Sequence, residues 1–233
     1  DSKRFQVLKD KLADYPLLPY LEYWQLRRKL SRASEEQMTA FLQRYDDQPV
    51  GWRLRSAWLH RLGQRKYWDA YLLHYTPQVS VTLQCYHVRA RLAGEQKQQA
   101  HEDALDLWMV GHSQPDECDP AFARLYDSGL ITPERLWKRI RLAFAEQKPS
   151  LAVYLSRRLP AADRTWVERW KYAHTRPTAA MKKPWAKQDK PVVREILTHA
   201  TRRLARHKPE QAWKHWQELT QNHDFSLEQQ ALA

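Results

Sequence analysis

Apolar residues recur along this chain at steps of three and four, and almost nowhere at steps of two. That spacing is the signature of helices with one face turned inward. It is clearest over residues 80–144. Val81, Cys85, Val88 and Leu92 form one stripe, with Gly94 as its stop. Ala100, Ala104, Leu107, Trp108 and Gly111 form a second, with Gly111 as its stop. A polar loop follows over 112–118. Asp119-Pro120 then opens a shorter helix ending at Gly129. Thr132-Pro133 opens another, with Leu136, Ile140, Ala143 and Phe144 facing inward. Helices joined by such short turns pack antiparallel, so the pattern is a run of αα-hairpins.

The rest of the chain extends the array. The spacing predicts helices over 2–12, 20–30, 50–62, 64–75, 151–159 and 163–172. Ser34 with Gln37 is a capping box opening a helix that carries Met38, Phe41 and Leu42. Gly63 reads as the stop of the 50–62 helix. Residues 174–190, with Pro177, Pro184 and several cations, read as irregular. Residues 191–205 and 209–219 form a last hairpin, with Val192, Ile196, Leu197, Ala212, Trp213 and Trp216 inward. Ser226 and Gln229 begin a helix that is cut short. A loose repeat links Arg91-Leu92-Ala93 and Ala104-x-x-Leu107-Trp108 to Arg203-Leu204-Ala205 and Ala212-x-x-His215-Trp216. The fold class is therefore all-α: stacked antiparallel helix pairs forming a curved superhelix, an α-solenoid. The expected organisation is one such domain over 1–233, truncated at its C-terminus.

Composition narrows the class. Hydrophobic residues make up 42% of the chain, enough for a packed core, and no apolar run approaches the roughly 20 residues that span a bilayer. The start at Asp1 shows no basic-then-apolar leader, which suits a cytosolic protein or a processed secreted one. The charge is uneven. Residues 157–215 hold 16 Lys and Arg against 5 Asp and Glu, a net of +11 out of +12 for the chain. The two cysteines read either as buried thiols or as a bridge tying the loop back onto the hairpin. Neither belongs to a CxxC pair, so a metal site is disfavoured.

Two stretches carry a resemblance. Tyr15-Pro16-Leu17-Leu18-Pro19-Tyr20-Leu21-Glu22-Tyr23 resembles the opening of the mature soluble lytic murein transglycosylases of Gram-negative bacteria. Leu107-Trp108-Met109-Val110-Gly111-His112-Ser113-Gln114-Pro115-Asp116-Glu117-Cys118-Asp119 is similar to their loop of the form LW-x-x-G-x-SQP-x-x-C-D, and Arg139-Ile140-Arg141-Leu142-Ala143 follows at the expected remove. The likeness runs over residues 12–159 and thins in the basic 160–233 part. It implies a U-shaped superhelix, a periplasmic location, and a Cys85–Cys118 disulfide, since an oxidising compartment keeps such bonds. It implies peptidoglycan as partner, together with a downstream linker and a lysozyme-like domain. That domain cleaves the MurNAc–GlcNAc bond to a 1,6-anhydro product through a single Glu. The family sets this Glu in a Glu-Ser pair, followed by Gly-Leu-Met-Gln and Ala-Tyr-Asn-Ala-Gly stretches. No such run occurs here, so this chain has no catalytic residue and is expected to be inactive alone. No cofactor is expected.

The remaining candidates weigh against bland alternatives. His101, Glu102, Asp103 and Asp106, with His112, Asp116 and Glu117, could suggest a metal cluster. They read better as a solvated face, without ligand spacing. Trp52, Trp58, Trp68, Trp108 and Trp216 fall on inward stripes and read as packing. Trp185, among Lys182, Lys183 and Lys187, reads as exposed and able to meet a sugar face or a base. The basic third is then a solvated face, a surface for anionic murein, or a nucleic-acid binder. The family likeness argues against the last. The alternative function is a non-enzymatic helical-repeat adaptor that binds protein or nucleic acid through the basic residues 157–215.

Overall fold

The protein is described by a computed structural model covering residues 7, 12, 15–94 and 97–232. These residues form fourteen α-helices and two 3₁₀ turns, with no strand among them. The helix expected over 2–12 falls almost wholly outside the described residues. Two compact units arise: residues 1–108 with 114–130, and residues 109–113 with 131–233.

The first unit holds α1 (Leu18–Arg28), α2 (Glu35–Arg44), α3 (Pro49–Arg65), α4 (Trp68–His74), α5 (Val81–Ala93), α6 (Lys97–Trp108) and α7 (Asp119–Asp127). Local chemistry sets their starts. Pro19, Pro49 and Pro120 sit in first turns, where a missing N–H costs nothing. At α2 the expected capping box is complete: Gln37 N–H donates to Ser34 Oγ at 3.3 Å, and Ser34 N–H donates to Gln37 Oε1 at 3.2 Å. Helix α5 lies at the centre and touches α3, α4, α6 and α7. It buries Leu83, Tyr86 and Ala90 as well as Cys85 and Val88, so its apolar residues surround it instead of forming the single expected stripe. The Tyr71 hydroxyl, fully buried, donates to the Leu83 carbonyl at 2.6 Å, and burial pushes that phenol well above its usual range. Cys85 and Cys118, both fully buried, are joined by a disulfide with Cα atoms 4.9 Å apart.

Three expectations in this unit need correction. Helix α3 does not stop at Gly63 but continues to Arg65, with Lys66 in the left-handed cap position at φ 59°. Gly63 is small for another reason: a Cβ there would lie 2.3 Å from the Tyr86 ring. Helix α6 ends at Trp108, ahead of Gly111. Trp52 is 56% exposed; it sits two residues from the Leu54–Trp58–Leu62 stripe, about 200° round the helix. Trp58 and Trp108 are buried, and Trp68 packs part-buried against the core.

The second unit holds α8 (Pro133–Ala145), α9 (Pro149–Ser156), α10 (Ala161–Thr175), α11 (Pro177–Met181), α12 (Pro191–Ala205), α13 (Pro209–Thr220) and α14 (Leu227–Leu232). Consecutive helices pack as hairpins, α8 on α9 and α12 on α13, while α10 lies against both α9 and α12. Residues 109–113 are clasped onto α8. Arg139 is only 4% exposed; its Nε donates to Val110 O at 3.1 Å and its guanidinium to His112 O at 3.3 Å. Glu146 Oε1 accepts from Gly111 N–H at 3.0 Å, and its Oε2 meets His112 Nδ1 at 2.7 Å. The His112 hydrogen bond, helped by the Gly111 N–H, holds the Glu146 carboxyl below the usual carboxylate range. A Cβ on Gly111 would come within 2.4 Å of the Leu142 carbonyl. Trp216 is buried but Trp213 is 62% exposed, one residue off the Ala212–Trp216 stripe, against expectation.

Gly63 and Gly111 are thus required by close approach, as is Gly51, whose added Cβ would run into the Tyr45 carbonyl, whereas Gly94 is not. Gly63→Ala and Gly111→Ala should each lower stability in urea denaturation by about 1–3 kcal/mol at unchanged m. Gly94→Ala, whose added Cβ meets nothing nearer than 3.7 Å, should change it by less than about 0.5 kcal/mol. Equal losses at all three would show that packing is not what keeps these residues small.

Candidate functional site

Residues 174–190 are not irregular. Helix α10 runs to Thr175, Pro177 starts α11, and Pro184 starts a 3₁₀ turn over Pro184–Lys187. Each proline ends one helix and, with its φ fixed, begins the next. The turn is pinned from below: Ala186 is buried and its carbonyl lies 2.9 Å from His223 Nε2. Trp185 is consequently half-buried, not exposed, with its ring edge-on to Trp166 at 6.4 Å.

The cations gather around these rings. The Arg169 guanidinium lies 4.3 Å from the Trp166 centroid and 5.9 Å from that of Trp185. Lys190 Nζ is 5.7 Å from Trp166, and Lys183 Nζ is 5.4 Å from the Tyr172 ring. An open depression of about 410 Å³ lies here, lined by Thr165, Glu168, Arg169, Tyr172, Lys183 and Trp185. Of the four residues singled out by sequence, Trp185 and Lys183 share it, whereas Lys182 and Lys187 lie outside its lining. Lys182, Lys183 and Lys187 are all exposed and form no ion pair among the described residues. Arg169 and Tyr172, which complete the depression, lie on α10 and carried no sequence signal beyond helical spacing.

A histidine pair joins α10 to α12, His174 buried and His199 half-buried. His174 Nδ1 and His199 Nε2 are 3.0 Å apart, with the rings stacked at 5.2 Å and packed on Phe144; Trp170 lies against His199. Burial, reinforced by Arg203 and Arg206, pushes His174 down to about 4. Burial, then His174 and the nearby arginines, pushes His199 down to about 3. Both rings are neutral at pH 7, so one hydrogen bond can join them. Two of the residues that could suggest a metal cluster have other partners. Asp103 is ion-paired with Arg91, and His112 meets Glu146. No group of three His, Cys, Asp or Glu among the described residues is arranged to hold a metal. No described helix is long and apolar enough to cross a membrane.

With the geometry in place, the chain can be set beside known proteins. No family model matches it. It is 32% identical over 166 residues to the soluble lytic murein transglycosylase of Escherichia coli K12, covering 69% of this chain and 26% of that protein. The Salmonella typhimurium enzyme is likewise 32% identical, over 170 residues. The solved lytic transglycosylase Slt of Pseudomonas aeruginosa matches over 100% of this chain and 38% of its own, with TM-score 0.84 and 30% identity. The 70-kDa soluble lytic transglycosylase of Escherichia coli matches over 96% and 36%, with TM-score 0.81 and 27% identity. The fold is thus that of an all-α helical-hairpin protein. Sequence and fold together place the chain among the homologues of the soluble lytic murein transglycosylases, and it spans about a quarter of the length of the curated relatives it matches.

The histidine pair sets a pH dependence. Histidines of the unfolded chain bind protons below about pH 6.5, whereas the folded pair does not until about pH 4. Stability is therefore full above about 6.5 and lost as the pH falls toward 4, by at most about 1.4 kcal/mol per pH unit for each ring. His74 and His87, also pushed down by burial, add to the same slope. Urea midpoints at pH 7 and pH 5 should show the fall, and His199→Gln should flatten part of it. An unchanged slope in that variant would remove the pair as its source.

Proposed function

We propose that this chain is the non-catalytic helical scaffold of a periplasmic soluble lytic transglycosylase, helping to shape its ring and engage murein. In this reading the cleavage of peptidoglycan MurNAc–GlcNAc bonds belongs to a lysozyme-like domain reached through a linker. The observation that carries it is the match of the whole chain to lytic transglycosylase folds, in a sequence without the Glu-Ser and Tyr-Asn runs of their catalytic part. The surface around Trp185 adds a chemical reason. Exposed Lys182, Lys183 and Lys187 attract the carboxylates of stem peptides and lactyl groups, and the ring of Trp185 offers an apolar face to a sugar.

Purified murein sacculi test this directly. Retention of the chain should fall between low and high salt, as attraction between exposed charges is screened. Replacing Lys182, Lys183 and Lys187 together by Gln should weaken low-salt retention about fivefold, the sum of three modest surface terms. Retention on RNA but not on sacculi would favour the adaptor reading instead. The compartment is tested separately: mass analysis without reductant, on material exported to the periplasm, should find the chain two hydrogens lighter than its reduced form. Two free thiols in that material would overturn the periplasmic assignment.

A further inference from the structure

A second cationic surface lies in the first unit, where the sequence carries almost no net charge. It is a groove of about 840 Å³ between α1 and α3, with Tyr23 and Arg27 on one wall and Trp52, Arg53, His60 and Arg61 on the other. No Asp or Glu lines it. Elsewhere in the unit some arginines are paired with carboxylates: Arg44 with Glu22, Arg55 with Asp46, and Arg91 with Asp103. Arg27 and Arg53 are exposed and have no such partner among the described residues. Asp46, beside Trp52, is already taken by Arg55 at 2.5 Å.

The groove is also held in shape. The Arg61 guanidinium donates to the Ser31 carbonyl at 2.5 Å, which fixes that side chain while leaving its other N–H groups available. Trp52 is 56% exposed, yet its indole N–H donates to the Asp46 carbonyl at 2.8 Å. An aromatic face is therefore presented in a set orientation, and little ordering entropy remains to be lost on binding. A ring face beside guanidinium forks suits a ligand with a flat apolar side and carboxylates projecting from it. The volume is that of a small-molecule site.

We propose that this groove binds a carboxylated saccharide, through Arg27, Arg53 and Arg61 on the carboxylates and Trp52 on the sugar face. The site is separate from the Trp185 surface and shares with that reading only the class of ligand. Titration calorimetry on the whole chain provides the test. The probes are a disaccharide muropeptide, the same compound with its carboxylates methyl-esterified, chitobiose, and a short RNA. The free-acid muropeptide should bind at least about tenfold tighter than the ester or chitobiose, the loss expected for one strong charge-assisted contact. Arg27→Gln with Arg53→Gln should remove that preference. Both residues are exposed and have no ion-pair partner among the described residues, so the variant should keep the helical circular dichroism of the parent. Trp52→Ala should weaken binding of the free acid and the ester alike. Replacing Lys182, Lys183 and Lys187 by Gln should leave this binding unchanged, which separates failure here from failure of the sacculus assay. The proposal is overturned if no probe binds, if the ester binds as well as the acid, if RNA binds more tightly than the muropeptide, or if the Arg27 and Arg53 variant binds like the parent.

Discussion

A guanidinium removed from water needs acceptors, and Arg139 finds two of them on the main chain of one loop. At 4% exposure it spends its donors on the carbonyls of Val110 and His112, two residues that no regular element would otherwise satisfy. The constraint is mutual, since the loop needs the arginine and the arginine cannot be buried without the loop. Around that pair the other residues of the segment become necessary. Gly111 leaves room for the Leu142 carbonyl, and Glu146 takes the Gly111 N–H. The spacing between the glycine loop and the Arg-Ile-Arg-Leu-Ala stretch, met in the sequence only as a resemblance, is the spacing of one hydrogen-bonded clasp.

The aromatic residues divide by a similar logic. Rings that lie on the apolar stripe of a helix, such as Trp58, Trp108 and Trp216, disappear into packing. Several part-buried rings meet cations instead, because a long basic side chain can lay its stem and head across an aromatic face. Arg169 over Trp166 and Trp185 is the clearest case. Such a surface is amphipathic at short range, apolar at the ring and charged a few ångströms away. It differs from an evenly solvated basic face of the same net charge.

Much of the architecture was legible because its signals are local. The bounds of the Pro191–Ala205 helix follow from a proline at its start and a sustained apolar period. The Ser34–Gln37 box and the Thr132-Pro133 start needed no tertiary information either. What escaped depended on distant partners. Gly63 looks like a terminator until the Tyr86 ring is seen against it. His174 and His199 stand 25 positions apart without any motif. Arg139 lies on the inward face of its helix beside Leu136, Ile140 and Ala143, and the carbonyls that make an arginine tolerable there belong to a loop nearly thirty residues earlier. The Trp52 and Trp213 errors have a different cause: on a helix whose neighbouring positions are also apolar, a stripe one residue wide cannot be told from the next by periodicity alone.

The bridge between Cys85 and Cys118 joins the middle of a central helix to a 3₁₀ turn, and neither sulfur has any contact with solvent. An oxidant therefore has no route to the two thiols once the hairpin has closed over them. The bond forms most directly while α5 and the following turn are still finding each other, which couples oxidation to the assembly of the fold. A chain that folded first in a reducing milieu would carry its thiols sealed inside, and would have to open locally before it could be cross-linked.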